Sequence, residues 1–387
     1  MKVHVIMNKH SRIDDYRILE ALDENLSFSF VEEIVFQSNP SSVRATFGDA
    51  SVIINRIQSG RMRYIVTQCL EECGYKVINS SKIQQYSRNK FLTYLKLSSA
   101  GISTPITLFP SYTRVCDEDS KVIFYRKSID NASKRIIDAV GLPLIEKPVD
   151  GTHGIGVRRI EKMEELKESL INRNPRNLSL FQQFCDAAWE IRSVSVKAPN
   201  EEPKLLACVA KCASDKKQKT RNLAVSGVPV YIPNTNAVKQ IETKLIRALL
   251  SKSEDYAILG NDWTPIGTEE RETEKIYENA RNLLPLQKEI RASRGSLTQI
   301  YRAAFYVRDK ILNLQSKLDE HNKLIEKYKK SKYHQTIQSL ILERLDDGPN
   351  LVFLDMNDNQ DFPNVYDLSE APIPQHYKEL ALRVSKL

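Results

Sequence analysis

A lysine at the end of an apolar run, followed by a glycine loop, is the first chemically suggestive feature of this sequence. Leu142 to Ile145 lead into Glu146, Lys147 and Pro148, and the loop that follows holds Gly151, Thr152, His153, Gly154 and Gly156 before a short strand at Val157–Ile160. Glycines let backbone N–H groups come close to an anion, and a lysine adds a point charge. Such a loop suits a polyphosphate, although a plain β-hairpin with a glycine turn has the same letters. It lacks the G-K-[ST] of a Walker loop, and its first glycine does not open a helix as in a dinucleotide fingerprint.

Farther along, Asp355 and Asn357 stand two apart on an extended run, Leu351–Met356, so both side chains share one sheet face. Ser339–Leu345 reads as the preceding strand, and a tight turn at Asp347–Pro349 would bring its Glu343 beside them. Two carboxylates and an amide oxygen suit a hard cation such as Mg²⁺ that also holds substrate phosphates. The alternative is a solvated face with Asn357 starting a turn. No Ser/His/Asp or Cys/His arrangement competes for the chemistry.

The elements that must carry these residues form an α/β pattern. Val3–Met7, Ala50–Ile57 and Tyr75–Asn79 read as strands between helices at Asp14–Asp23 and Tyr64–Cys73, a small unit with a mostly parallel sheet. A helix then spans Ser87–Lys90 and runs to Ala100, where Gly101 stops it. Beyond the glycine loop, Lys162–Leu170 is helical, and Leu178–Phe184, Glu190–Val196 and Leu205–Cys212 are strands. Helices at Asn236–Leu250 and His376–Lys386 flank the final strand pair.

Composition excludes several classes. The 387 residues suffice for two or three domains, and 41% apolar with 27% charged residues is ordinary for a globular protein. No apolar run has the length of a membrane span, and the N-terminus reads as a strand rather than a signal peptide. The six cysteines include no C-x-x-C pair and read as reduced thiols of a cytoplasmic protein. Net charge is +8, but residues 281–334 hold 13 Lys and Arg against 5 Asp and Glu, leaving 44 of each sign elsewhere. Any affinity for nucleic acid therefore reduces to that segment.

The same segment changes period. Ile300, Ala304, Val307, Ile311, Leu314, Leu318, His321, Ile325 and Tyr328 alternate four and three apart, a heptad seam. An earlier helical stretch at Glu274–Ile290, interrupted at Pro285, is set off from it by Gly295 and Ser296. The simplest reading is a helical hairpin, coiled-coil in character, inserted over residues 268–335.

The order of these motifs resembles the ATP-grasp superfamily, and within it the RimK-like carboxylate–amine ligases. The matching stretches are Asn55–Ile57, Gly74–Ile83, Arg88–Lys90, Ala100–Thr107, Leu144–Val157, Leu180–Phe184, Glu190–Arg192, Arg221–Asn222 and Asp355–Asn357. The resemblance implies an α/β (α+β) ATP-grasp fold: an N-terminal α/β domain over 1–105, a central subdomain over 106–185 with the glycine loop, and a C-terminal subdomain over 186–387 carrying the hairpin. It implies ATP and Mg²⁺, with Mn²⁺ as the alternative metal. Lys90 and Lys147 match the lysines that hold the phosphates, and Gly151–Gly156 the loop that closes over them. Gln182, Gln183 and Phe184 match the segment along the adenine, and Glu190 the acid at the ribose. Lys211 and Asn222 match phosphate- and metal-side contacts, Arg192 and Arg221 the residues that face an acyl phosphate or acidic substrate. Glu343, Asp355 and Asn357 match the metal triad, with the Asp and Glu of the family exchanged. His153 is bulky for a phosphate loop.

What the resemblance implies for activity is phosphoryl transfer from ATP to a carboxylate, then attack by an amine or hydroxyl to give an amide or ester. The expected partner is a peptide, a protein tail or an amino acid; peptide macrocyclisation and amino-acid addition both stay open. A homo-oligomer is expected; the hairpin seam either packs back on the chain's own core or meets a second copy or a macromolecular substrate. The alternatives are an ATP-binding scaffold without turnover, suggested by the exchanged carboxylates, and a nucleic-acid-associated protein using the basic hairpin.

Overall fold

The computed structural model describes the chain except residues 1, 23–25, 36–37, 111–114, 117–121, 124–125, 152–153, 173–177, 217–226, 308–313, 347–349, 359–362 and 370. The first unit alternates β1 (Val3–Met7), α1 (Ile13–Leu22), β2 (Leu26–Phe30), α2 (Pro40–Phe47), β3 (Val52–Asn55), α3 (Gly60–Glu72) and β4 (Val77–Ile78). Its sheet has the order β2-β1-β3-β4, all parallel. Every residue of VHVIM in β1 and of VIIN in β3 is buried, as a parallel sheet covered on both faces requires.

The expected helix through Lys90 is in fact two, α4 (Ser81–Arg88) and α5 (Lys90–Ser99). Asn89 breaks the run because its side chain accepts from Leu92 N and so caps the second helix. Next come β5 (Thr107–Leu108), β6 (Val115–Cys116), β7 (Val122–Ile123), α6 (Arg126–Val140), β8 (Leu144–Pro148), β9 (Arg158–Ile160), α7 (Met163–Ile171) and β10 (Ser179–Gln183). Four of these strands make an antiparallel sheet, β5-β10-β8-β9.

The last sheet has the order β13-β12-β11-β14-β15 and is antiparallel throughout. Its strands are β11 (Trp189–Lys197), β12 (Lys204–Cys212), β13 (Val228–Ile232), β14 (Ala257–Pro265) and β15 (Leu351–Asn357), with α8 (Asn236–Leu249) between β13 and β14. Between β14 and β15 stand α9 (Glu270–Val307), α10 (Leu314–Lys329) and α11 (Lys332–Asp346); α12 (Pro363–Ser369) and α13 (Ile373–Val384) end the chain.

Two expectations need correction here. Ser339–Leu345 is not a strand; it belongs to α11, where His334, Ile337, Ile341 and Leu345 are buried at helical spacing. The partner of β15 is instead β14. The insertion is also not a separate hairpin. α9 runs unbroken through Pro285 and Gly295, so the helical ladder tolerates one missing N–H, and the seam divides between α9 and α10.

The insertion completes the edge of the large sheet. Strand β13 lies at that edge and would leave its backbone groups unpaired. Tyr328 donates to Pro229 O at 2.7 Å, Gln338 Nε2 to Tyr231 O at 2.8 Å, and Tyr231 N to His334 Nε2 at 3.1 Å. Gln287 Nε2 donates to Gly227 O at 2.7 Å, just before the strand. On the other side, Arg294 and His321 meet the buried Asp367 of α12, which also pairs with Arg17 of α1. The seam residues Leu314, His321, Ile325 and Tyr328 are buried inside the chain.

Candidate active site

β14 and β15 bring the acidic groups together. Asp262 stands directly opposite Asp355, and Gly260 opposite Asn357, with an irregularity just past Asp262. The Asp355 side chain is 39% exposed and Asp262 is nearly buried. Glu343, by contrast, lies exposed on α11. The carboxylate beside Asp355 is therefore Asp262, which the sequence reading missed. The local sequence carries no signal for it: only the fold puts Asn261 and Asp262 inside the run Ala257–Pro265, every residue of which is buried, and a buried carboxylate requires a partner.

Its partners come from β11 and β12. Arg192 holds Asp262 with two hydrogen bonds of 2.9 and 2.7 Å, and Lys211 lies 2.9 Å from the same carboxylate. Lys211 also pairs with Glu190 at 2.8 Å, its neighbour across the strands. Burial alone would raise the Asp262 carboxyl, but Arg192 and Lys211 overcome it and hold the group well below the usual carboxylate range. On the opposite face of the same strands, the buried Glu242 of α8 accepts from Ser193, Ser195, Asn261 and Trp263. That set of bonds fixes the backs of β11 and β14, and hence where Arg192 and Asp262 point.

The lysines converge from two other elements. Lys90, first residue of α5, donates to both oxygens of Asp355 at 2.7 and 2.8 Å. Lys147, fourth residue of β8, is buried and donates to Tyr94 Oη at 2.5 Å and to Leu354 O at 3.2 Å. Burial lowers its pKa, against the attraction of Asp355, Glu190 and Asp262. Lys90, Lys147, Lys211 and Arg192 thus gather around Asp262, Asp355 and Glu190, leaving one cation in excess.

The glycine loop folds over Pro148. A Cβ on Gly151 would stand 2.9 Å from Pro148 Cβ, and one on Gly156 2.8 Å from Pro148 Cγ; Gly154 and Gly156 also have φ of 72° and 76°. Only glycine meets both demands. Gln182 and Gln183 end β10; Gln182 donates to Thr107 Oγ1 at 2.8 Å, and Gln183 N to Ile106 O at 2.8 Å. The Phe184 ring lies under the Arg159 guanidinium at 4.3 Å. Thr152, His153, Arg221 and Asn222 fall outside the described residues.

The donor set fits a hard cation shared with a polyphosphate. Among the described residues no three His, Cys, Asp or Glu side chains form a self-sufficient metal site. Two facing carboxylates and the Asn357 amide would need oxygens from a ligand to complete a shell, and the surrounding lysines suit those same oxygens. Among the described residues no helix is long and apolar enough to cross a membrane.

Comparison with known proteins places the chain in a family. Residues 87–285 match the family model of the ATP-grasp domain. The glutamate–LysW ligase ArgX of Sulfolobus acidocaldarius is 24% identical over 239 residues, 60% of this chain and 73% of the relative. The α-aminoadipate–LysW ligase LysX of Sulfurisphaera tokodaii is 30% identical over 136 residues, 35% of this chain and 41% of the relative. The ATP-grasp ligase PsnB, solved with a phosphomimetic variant of a minimal precursor, Mg and ADP, has the same fold over 100% of this chain and 99% of its own, with 12% identity and a TM-score of 0.52. The chain belongs to the ATP-grasp domain family.

Proposed function

We propose that this ligase activates a carboxylate as an acyl phosphate and joins it to an amine, or to a hydroxyl, with a peptide or protein as one substrate. The observation that carries this reading is the meeting of Asp262, Asp355 and Asn357 with Lys90, Lys147, Lys211 and Arg192. The names of the relatives support the substrate class: two join an amino acid to LysW, and the neighbour of matching length was solved with a precursor.

In this reading Lys90 and Lys147 hold the nucleotide phosphates, Gln182, Gln183 and Phe184 line the base, and Glu190 takes the ribose hydroxyls. The ion pairs change partners when nucleotide enters. Lys90 leaves Asp355 and Lys211 leaves Asp262, so the cations turn to phosphate oxygens and the carboxylates, with Asn357, face the metal. Mg²⁺, when bound, neutralises charge on the transferring phosphoryl group. Arg192 remains beside Asp262, where it can orient an incoming carboxylate with two parallel bonds. A carboxylate oxygen attacks the γ-phosphorus as ADP leaves; the acceptor then attacks the acyl carbon and releases phosphate. Positioning and charge suffice, so no protein nucleophile is required. Arg221, Asn222, Thr152 and His153 keep the phosphate- and substrate-side roles that the resemblance implies.

The scaffold alternative rested on the exchanged carboxylates; Asp262 removes the half of that motive that Glu343 supplied, and Asp355 keeps the shorter side chain. The five cysteines described are all free, which supports a reducing, cytoplasmic setting. The test is to supply ATP, Mg²⁺ and a panel of peptides and amino acids, and read ADP release with the mass of each peptide. A peptide that gains an amino acid, or loses one water, supports the reading. ADP release with free amino acids alone, and no peptide altered, contradicts it.

A further inference from the structure

Lys147 enters the site from β8, but what aims it comes from α5. Lys90 and Tyr94 are four residues apart on that helix, hence on one face. Lys90 reaches Asp355, and Tyr94 reaches the residue before it, donating its hydroxyl proton to Leu354 O. The same hydroxyl accepts from Lys147 Nζ at 2.5 Å. The Tyr94 ring is 4% exposed and stands edge-on to Phe353, 6.1 Å between centroids. Burial raises the phenol, so it stays neutral and able to donate.

An ammonium has three N–H donors. Tyr94 takes one and Leu354 O takes the second, so the direction of the third is fixed. We propose that Tyr94 is a positioning residue that holds the Lys147 ammonium charged and aimed at the nucleotide phosphates. The proposal rests on the reading of Lys147 as a phosphate ligand. Burial works against the charge on Lys147, and Asp355, Glu190, Cys185 and Asp262 work for it from a distance; Tyr94 adds an acceptor in direct hydrogen-bond contact. Tyr94 also ties that lysine to the strand of Asp355, so phosphate and metal contacts share one support.

The experiment titrates ADP with Mg²⁺ into wild type, Tyr94→Phe and Lys147→Ala by calorimetry from neutral to alkaline pH, with circular dichroism on each. Phe keeps the ring and loses only the hydroxyl. The expected result is about tenfold weaker ADP binding in Tyr94→Phe at neutral pH, the low end for one bond to a charged group. The alkaline loss of binding should move down by about one pH unit, the same energy expressed as a pKa. That limb should vanish in Lys147→Ala. If Lys147→Ala binds as wild type, the reading of Lys147 fails. If Lys147→Ala is weakened while Tyr94→Phe binds normally, or loses affinity equally at every pH, Tyr94 only packs and the proposal is overturned. Should Tyr94→Phe fail to fold, 4-fluorophenylalanine at position 94 keeps the packing and replaces the hydroxyl with a poor acceptor that cannot ionise. An unmoved limb there overturns the proposal equally.

Discussion

Asp262→Asn compared with Glu343→Gln separates the sheet-pairing assignment from the one the sequence suggested. Asn keeps the shape of Asp262 and loses its charge. It removes the paired hydrogen bonds of 2.9 and 2.7 Å from Arg192 and the 2.9 Å contact with Lys211. Breaking a buried ion pair costs about 3–5 kcal/mol. Here Lys211 keeps Glu190 at 2.8 Å and the Arg192 side chain is 21% exposed, so about 2 kcal/mol is the expectation, or roughly 2–3 °C in melting temperature for a chain of 387 residues. Because the folded carboxyl titrates below its unfolded value, this stabilisation is fully present above about pH 4 and is lost only as pH falls further. The stability difference should therefore be equal at pH 7 and pH 5.5. ADP formation against Mg²⁺ concentration is the functional assay. Loss of one of two carboxylates should raise the half-saturating Mg²⁺ by about tenfold or more. Glu343→Gln, exposed on a helix, should leave both curves unchanged. A raised Mg²⁺ requirement in Glu343→Gln, with none in Asp262→Asn, would refute the reasoning.

Three further outcomes follow from the same geometry. Lys147→Ala should weaken ATP binding at neutral pH by about 1.5–3 kcal/mol, the scale of a hydrogen bond to a charged group; titration calorimetry giving wild-type affinity would remove Lys147 from the site. Joining Pro265 to Thr336 through a short Gly/Ser linker should abolish folding, because it strips Tyr328, His334 and Gln287 from the β13 edge and Arg294 from Asp367; a soluble, cooperatively melting product would show the insertion to be dispensable. Acid should destabilise the fold through His334, whose Nε2 accepts from Tyr231 N and whose pKa burial lowers to about 4. Its contribution is complete above pH 6.5 and declines by about 1.4 kcal/mol per pH unit toward pH 4, so His334→Gln should flatten the dependence of melting temperature on pH in that window.

Three strands of the N-terminal sheet and the glycine loop were legible because local pattern and tertiary role agree there: VHVIM and VIIN are continuous apolar runs that the parallel sheet buries on both faces, whereas the edge strand Leu26–Phe30, with no buried residue, was missed. The sequence also gave access to Lys90, Lys147, Glu190, Arg192, Lys211, Asp355 and Asn357 through motif order. β14 was not legible, since Gly260, Asn261, Asp262 and Pro265 favour turns in isolation, and only burial between β11 and β15 makes them a strand. Missing that strand forced β15 to take a false partner in Ser339–Leu345, whose short apolar run fits either period. It also put Glu343 in the place of an Asp, which Asp262 fills once it faces Asp355; Asp355 still stands where the resemblance implies Glu. The helical insertion was legible as helix but not in its role: no local signal tells that Tyr328, His334 and Gln338 finish the edge of a distant strand.

The central claim is that Asp262, Asp355 and Asn357 hold a metal shared with a nucleotide that the lysines grip. Calorimetric titration of ADP with and without Mg²⁺, into wild type and Asp355→Asn, tests it most directly. The account predicts that Mg²⁺ strengthens ADP binding to wild type and does little for Asp355→Asn. In the absence of metal the variant should bind ADP at least as well as wild type, because Lys90 is released from its 2.7 Å ion pair. Equal strengthening by Mg²⁺ in both proteins would contradict the account.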